Sequence, residues 1–194
     1  MTLRVDLAQI AEWVAPGSRV LDLGCGDGSL LAHLRDAKSC RGYGVEIDDD
    51  HVARCVKAGL NVVQQNLDAG LRLFADNMFD TVVLSQTLQA MHNVEGILRE
   101  MARVARQGIV SFPNFGHWRH AVSLLAGRMP VNKLIPYQWY DTPNIHLCTL
   151  KDFEILASKV GLTITARSVL AEGRPVNVLP GLRSTLAVYR FETR

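Results

Sequence analysis

Cysteine is scarce in this chain, and what there is lies scattered. The 194 residues hold four cysteines, Cys25, Cys40, Cys55 and Cys148, with no C-x-x-C pair. That spacing argues against a disulfide framework and a structural zinc site, and makes reduced thiols in a cytoplasmic protein the expectation. Long apolar runs are missing as well. None approaches the ~20 residues of a membrane span, and "MTLRVDLAQIAEWV", with Arg4, Asp6 and Glu12, does not read as a signal peptide. Net charge is only +2 at pH 7, too little for a nucleic-acid binder that relies on counterion release. Internal repeats and low-complexity tracts are absent. What remains, 48% hydrophobic and 21% charged residues, suits a single globular domain over residues 1–194.

Two periods alternate along the chain. Leu3, Leu7, Ile10 and Trp13 fall at helical spacing until Pro16-Gly17 stops the pattern. "RVLDL" reads as a buried strand, and "RGYGVEI", "NVVQQN", "FDTVVLSQ" and "GIVSF" as further strands. Between them "SLLAHLRDA", "DDDHVARCVKAGL" and "NVEGILREMARVA" read as helices, the second with acids at its start and Gly59 at its end. This alternation predicts a parallel sheet covered on both faces. Residues 113–148 break the rhythm, with four prolines and two of the three tryptophans. A connection of that length is expected to be a lid or a binding segment. The helix "LKDFEILASKVG" and the strands "LTITARSVL" and "RSTLAVYRF" then complete the sheet.

The turn after the first strand, Asp22-Leu23-Gly24-Cys25-Gly26-Asp27-Gly28, places glycine at every second position. Glycine permits positive φ and leaves no Cβ between a ligand and the backbone. A dinucleotide fingerprint is G-x-G-x-x-G; this one is G-x-G-x-G, with an acid two residues ahead. A pyrophosphate gains nothing from Asp22 and Asp27, whereas an ammonium or sulfonium ligand does. Glu46, 24 residues after Asp22, ends the second strand, where a carboxylate accepts from two ribose hydroxyls.

"VLDLGCGDG", "GVEID", "NLD" and "FDTVVLSQTLQ" resemble successive motifs of the class I S-adenosylmethionine-dependent methyltransferases. The resemblance implies a Rossmann-like α/β fold, with a seven-stranded, mostly parallel sheet, the last strand antiparallel, and helices on both faces. It also implies that Gly24, Cys25, Gly26 and Gly28 lie along the methionine part of the cofactor, with Asp22 near its amino group. Glu46 would bind the ribose, Asp68 would meet the adenine amine, and Ser85 and Gln86 would line the sulfonium end, with Ile47, Asn66 and Leu67 as further cofactor-binding residues. "SQTLQAMHN", "SFPNFGHWRHA" and "PYQWYDTPNIHLCTLKDF" resemble a narrower group, the methionine-biosynthesis MetW family. That likeness implies a methyltransferase-like partner of a homoserine O-acyltransferase.

Methyl transfer needs positioning and, for a poorly ionised acceptor, a base. No N-P-P-Y tetrapeptide follows the fourth strand, and no zinc ligands are spaced to activate a thiol. His92, His117, His120, His146, Tyr137 and Tyr140 are the available bases, with His146 and Tyr140 the catalytic candidates. From Met101 to Tyr140 there is no acidic residue, but Arg103, Arg106, Arg119, Arg128 and Lys133 are present. Trp118, Arg119, Tyr137, Trp139 and Tyr140 have the composition of a protein-interface hot spot. Two functions follow. One is an S-adenosylmethionine- or S-adenosylhomocysteine-binding accessory subunit of homoserine O-acyltransferase, touching it through 113–148. The other is a methyltransferase acting on a small metabolite.

Overall fold

The structure, a computed structural model, describes residues 3–131 and 135–193, so Lys133 lies outside the described residues. Helix α1 (Val5–Trp13) is followed by β1 (Arg19–Leu23), α2 (Ser29–Lys38), β2 (Arg41–Glu46), α3 (Asp49–Lys57) and β3 (Asn61–Gln64). A 3-10 turn at Leu67–Ala69 precedes β4 (Phe79–Ser85), and a second at Leu88–Ala90 precedes α4 (Val94–Val104) and β5 (Ala105–Pro113). Then come α5 (Trp118–Leu125), α6 (Leu150–Lys159), β6 (Leu162–Ala171), β7 (Arg174–Pro175), α7 (Pro180–Arg183) and β8 (Leu186–Thr193).

The strands form one sheet in the order β3-β2-β1-β4-β5-β8-β6-β7. The first five are parallel, and β8 slots antiparallel between β5 and β6. The sheet thus has eight strands where seven were expected. The extra one is the two-residue β7, which folds back on β6 through Glu172 and Gly173, both at positive φ. Such a turn matches the strand twist and costs glycine nothing. Residues 113–148 also hold an element that the proline count obscured, helix α5.

Strand alternation builds two cores. Leu21, Leu23, Val82, Leu84, Val110 and Phe112 pack under α4 and α6, which supply Leu98, Met101, Phe153 and Ala157. Val20, Val83 and Ile109 point the other way, onto Leu7 and Ile10 of α1 and Leu30 and Leu34 of α2. Two residues further on, the same face turns polar: Asp22, Ser85 and Ser111 are all buried there. Chain order reverses on either side of β1, since β2 flanks it on one edge and β4 on the other. The crevice beyond the carboxyl ends of β1 and β4 is where an open α/β sheet takes its ligand.

Candidate functional site

That crevice is a cleft of about 2050 Å³. Its floor is the glycine turn, in which Gly24, Gly26 and Gly28 all take positive φ (68°, 56° and 76°). The three glycines do different work. A Cβ on Gly24 would lie 2.6 Å from Thr87 Oγ1, and one on Gly28 would lie 2.4 Å from Leu60 Cδ1 and 2.9 Å from Cys55 Sγ. A Cβ on Gly26 would meet nothing within 4 Å. Gly26 therefore keeps a space open in the cleft wall, while the other two permit close packing.

The end of β2 is tied to this turn. Gly24 and Cys25 donate their N–H groups to Val45 O at 2.8 and 3.1 Å, and Gly26 N–H donates to Glu46 Oε2 at 2.7 Å. Glu46 Oε1 accepts from the N–H groups of Ile47 and Asp48 at 2.8 and 3.0 Å. Three backbone donors thus fix the carboxylate, and Oε2, with a single bond, retains a lone pair for a hydroxyl.

A second polar knot sits at the ends of β4 and β5. Asp6, fully buried on α1, accepts at Oδ2 from Ser85 Oγ (2.8 Å), Ser111 Oγ (3.0 Å) and Gln86 Nε2 (3.1 Å). Arg4 grips both oxygens of Asp6 (2.7 and 3.0 Å) and donates from Nη2 to Ser85 Oγ at 2.8 Å. Burial pushes the Asp6 carboxyl up, but the Arg4 bonds and charge, with Ser85 and Gln86, outweigh it and hold the group below its ordinary value. Asp22, buried beneath this knot, moves the other way. Burial lifts it to about 7; the Arg4 charge opposes the rise, and those of Glu46 and Asp6 add to it.

On the far wall, Asn66 caps the Leu67–Ala69 turn by accepting from Asp68 N–H at 2.9 Å. Asp68 in turn holds the loop after β4, taking His92 N–H at 3.0 Å on Oδ1 and facing His92 Nδ1 at 2.8 Å through Oδ2. The His92 bond keeps this carboxyl below its usual value.

Gly24, Gly26, Glu46, Ile47, Asn66, Leu67, Asp68, Ser85 and Gln86 come together around the cleft, as do Trp118, Arg119 and Tyr137. Asp22, Cys25 and Gly28 sit behind its surface. Burial, with the charge of Asp22, raises the Cys25 thiol, and Cys25 Sγ lies 3.9 Å from Cys55 Sγ, so it is a packing residue. His146 does not reach the cleft and instead lines a separate cavity under α4 and α6. Tyr140 lines neither space; it is 71% exposed and stacks edge-on with Trp139. Sequence reasoning missed Arg4, Asp6 and Thr87; an acid inside an apolar helix was the available signal. Among the described residues no cluster of His, Cys, Asp or Glu has the makings of a metal site, and no helix is long and apolar enough to cross a membrane.

The family description "Methionine biosynthesis protein MetW" matches residues 4–191. The chain belongs to the MetW family. It is 38% identical over 176 residues to the bifunctional methionine biosynthesis protein MetXA/MetW of Rhodopirellula baltica, covering 84% of this chain and 28% of that protein. It is 35% identical over 105 residues to the ubiquinone/menaquinone biosynthesis C-methyltransferase UbiE of Stenotrophomonas maltophilia, covering 49% and 41%. This MetW chain therefore spans less than half the length of either relative. A solved S-adenosylmethionine-dependent methyltransferase from Mesorhizobium loti superposes with a TM-score of 0.74 at 16% identity, over 97% of this chain and 98% of that one. The MetW chain thus has the fold of the class I methyltransferases, within a family of methionine biosynthesis.

Proposed function

We propose that this chain binds S-adenosylmethionine, or its demethylated product S-adenosylhomocysteine, and serves as an accessory subunit of homoserine O-acyltransferase in the cytoplasm. The cleft fits the cofactor. The open space beside Gly26 receives the ligand against bare backbone, Glu46 Oε2 has a lone pair for a ribose hydroxyl, and the wall at Asn66–Asp68 takes the base. Arg4 lines the cleft and Asp22 lies buried behind it; ionised above about pH 7, Asp22 would attract the ammonium of a methionyl group from beneath, and Arg4 its carboxylate. When bound, the cofactor supplies an activated methyl group; the residues of this chain bind and orient it.

The observation that carries the accessory role is the R. baltica relative, in which MetXA and MetW share one polypeptide. The segment at residues 113–148 supports it as the contact. Helix α5 buries only His120 and leaves Trp118, Val122, Leu124 and Leu125 exposed. Catalysis on a small metabolite is the second reading. Ser85 and Gln86 are held by Asp6 and neither His146 nor Tyr140 reaches the cleft, which leaves His117, His120 and Tyr137 as the candidate bases that line it.

The test is to assay the acyltransferase with and without this chain, and with and without cofactor. Higher acyltransferase activity or stability in the mixture is expected. An acyltransferase indifferent to this chain overturns the accessory role, and steady release of S-adenosylhomocysteine with a metabolite replaces it with catalysis.

A further inference from the structure

Gln89, Pro113, Ile135 and Asn144 wall the cofactor cleft on one side and a second cavity of about 510 Å³ on the other. That volume is ordinary for a small-molecule site. Its interior is apolar, with Leu88, Val94, Phe112, Phe115 and Leu156 among the walls. Cys148 belongs with them, because burial pushes its thiol up to about 12 and keeps it neutral. Its polar groups come from two stretches: Gln89, His92, Asn93 and Glu95 before and at the start of α4, and Asn144, His146 and Asp152 from "NIHLCTLKD", part of the segment that carries the narrower family resemblance. That stretch thus builds the second cavity more than the first.

The charged residues are of one sign, beside two histidines, His92 and His146. Among the described residues no lysine or arginine lines the cavity, whereas two carboxylates do. Glu95 is already balanced by Lys159 and Arg99. Asp152 is not: it is solvent-exposed at the edge of the cavity, in the first turn of α6, where Oδ2 accepts from Thr149 Oγ1 at 2.7 Å, and no cation pairs with it among the described residues. The helix start favours that charge without neutralising it. On the partition, Gln89 Oε1 is buried with no hydrogen-bond partner, while Gln89 Nε2 donates to Gln86 O at 2.8 Å and Gln89 O holds the N–H groups of Ile145 and His146 at 2.8 and 3.0 Å. An unmet acceptor of this kind is costly to leave in place.

We propose that this cavity is a second small-molecule site, taking a compact apolar chain that carries a protonated amine. The apolar chain fills the space between α4 and α6, and the ammonium pairs with Asp152. The site stands whether or not the neighbouring cleft takes a nucleoside. Simple amines and amino acids share this chemistry, and three probes separate them: L-norleucine, n-pentylamine, which is norleucine without its carboxylate, and hexanoate, which is norleucine without its amine.

The experiment follows the methyl resonances of Leu88, Val94 and Leu156 by NMR as each probe is titrated into the whole chain. At least one amine probe shifts them saturably and hexanoate does not; the tighter of the two amines identifies the source. Asp152→Asn, which keeps the size of the side chain, weakens amine binding about tenfold. Val94→Phe fills the space and abolishes it, with the methyls of Leu30 and Leu34 on the opposite face reporting an intact fold. Equal binding of hexanoate, no saturable shift below about 10 mM, or undiminished binding to the Asp152→Asn variant would overturn the assignment.

Discussion

Gly26 N–H donates to Glu46 Oε2 at 2.7 Å, which ties the glycine turn to the end of β2. A side chain at residue 26 would leave that bond in place and intrude on the cleft alone. Gly26→Ala places a methyl where nothing stands within 4 Å, at a φ of 56°. The conformational cost is about 1–2 kcal/mol, a modest fall in Tm. Stabilisation by S-adenosylhomocysteine should vanish in a thermal-shift assay. Gly28→Ala is the counterpart: its methyl would strike Leu60 and Cys55, lowering Tm further while the folded fraction keeps its ligand response. Equal ligand shifts in the wild type and Gly26→Ala would remove Gly26 from the cofactor site.

The sheet and the glycine turn were legible because they are local. Alternating Leu21, Leu23 and Val20 announce a two-sided strand, and three spaced glycines announce close approach. The knot around Asp6 was not legible, since its partners Ser85 and Ser111 lie 79 and 105 residues away. Nothing short of the folded sheet puts those hydroxyls beside one carboxylate. The individual duties of the glycines were hidden for the same reason: Gly24 and Gly28 meet Thr87, Leu60 and Cys55 only across the fold. The second cavity depends on how residues 135–148 run between the Leu88–Ala90 turn and α6, which no periodicity encodes.

If the cleft takes the cofactor as proposed, Asp22, buried behind its surface, should make that binding depend on pH. Burial holds its carboxyl at about 7, so below that pH the negative charge that would attract an incoming ammonium is lost. Affinity for S-adenosylhomocysteine should therefore rise from pH 6 to pH 8 by about tenfold and then level off. Stability of the free protein runs the opposite way. The folded state keeps a proton that the unfolded chain loses above 3.8, so this contribution declines from there to about pH 7. Calorimetric titration at three pH values checks the first slope, and Asp22→Asn should flatten it.

Asp6 is the stronger structural lever. Asp6→Ala strands the Arg4 guanidinium, two hydroxyls and the Gln86 amide together. Because the Arg4 side chain is 52% exposed, the loss should be about 2–3 kcal/mol, short of a fully buried pair. At this chain length that is a fall in Tm of roughly 5–10 °C. The carboxyl is held below its ordinary value, so its stabilisation is complete above 3.8 and is lost as the pH falls through the folded pKa. Urea midpoints of the wild type and Asp6→Asn should converge under acid conditions; a constant gap down to pH 2 would mean that the ionised carboxylate does not hold the knot.

Helix α5 offers the sharpest test of the contact surface. Leu125 is 89% exposed, next to the exposed Leu124 and Val122, and Trp118 carries Arg119 over its ring at 5.5 Å. An apolar side chain so exposed contributes nothing to this chain's own core, so Leu125→Glu should leave the stability within about 0.5 kcal/mol of the wild type. In a complex the same carboxylate would be desolvated without a partner, and affinity for the acyltransferase should fall by at least about tenfold. Trp118→Ala should weaken the complex as well, as large aromatic anchors do at interface centres. Size-exclusion chromatography and calorimetry with the acyltransferase read both effects. The thermal shift given to Leu125→Glu by S-adenosylhomocysteine controls for the cofactor cleft. If that variant still binds the acyltransferase like the wild type, the contact lies elsewhere, with Trp139 and Tyr140 the next residues to truncate, since they are 72% and 71% exposed.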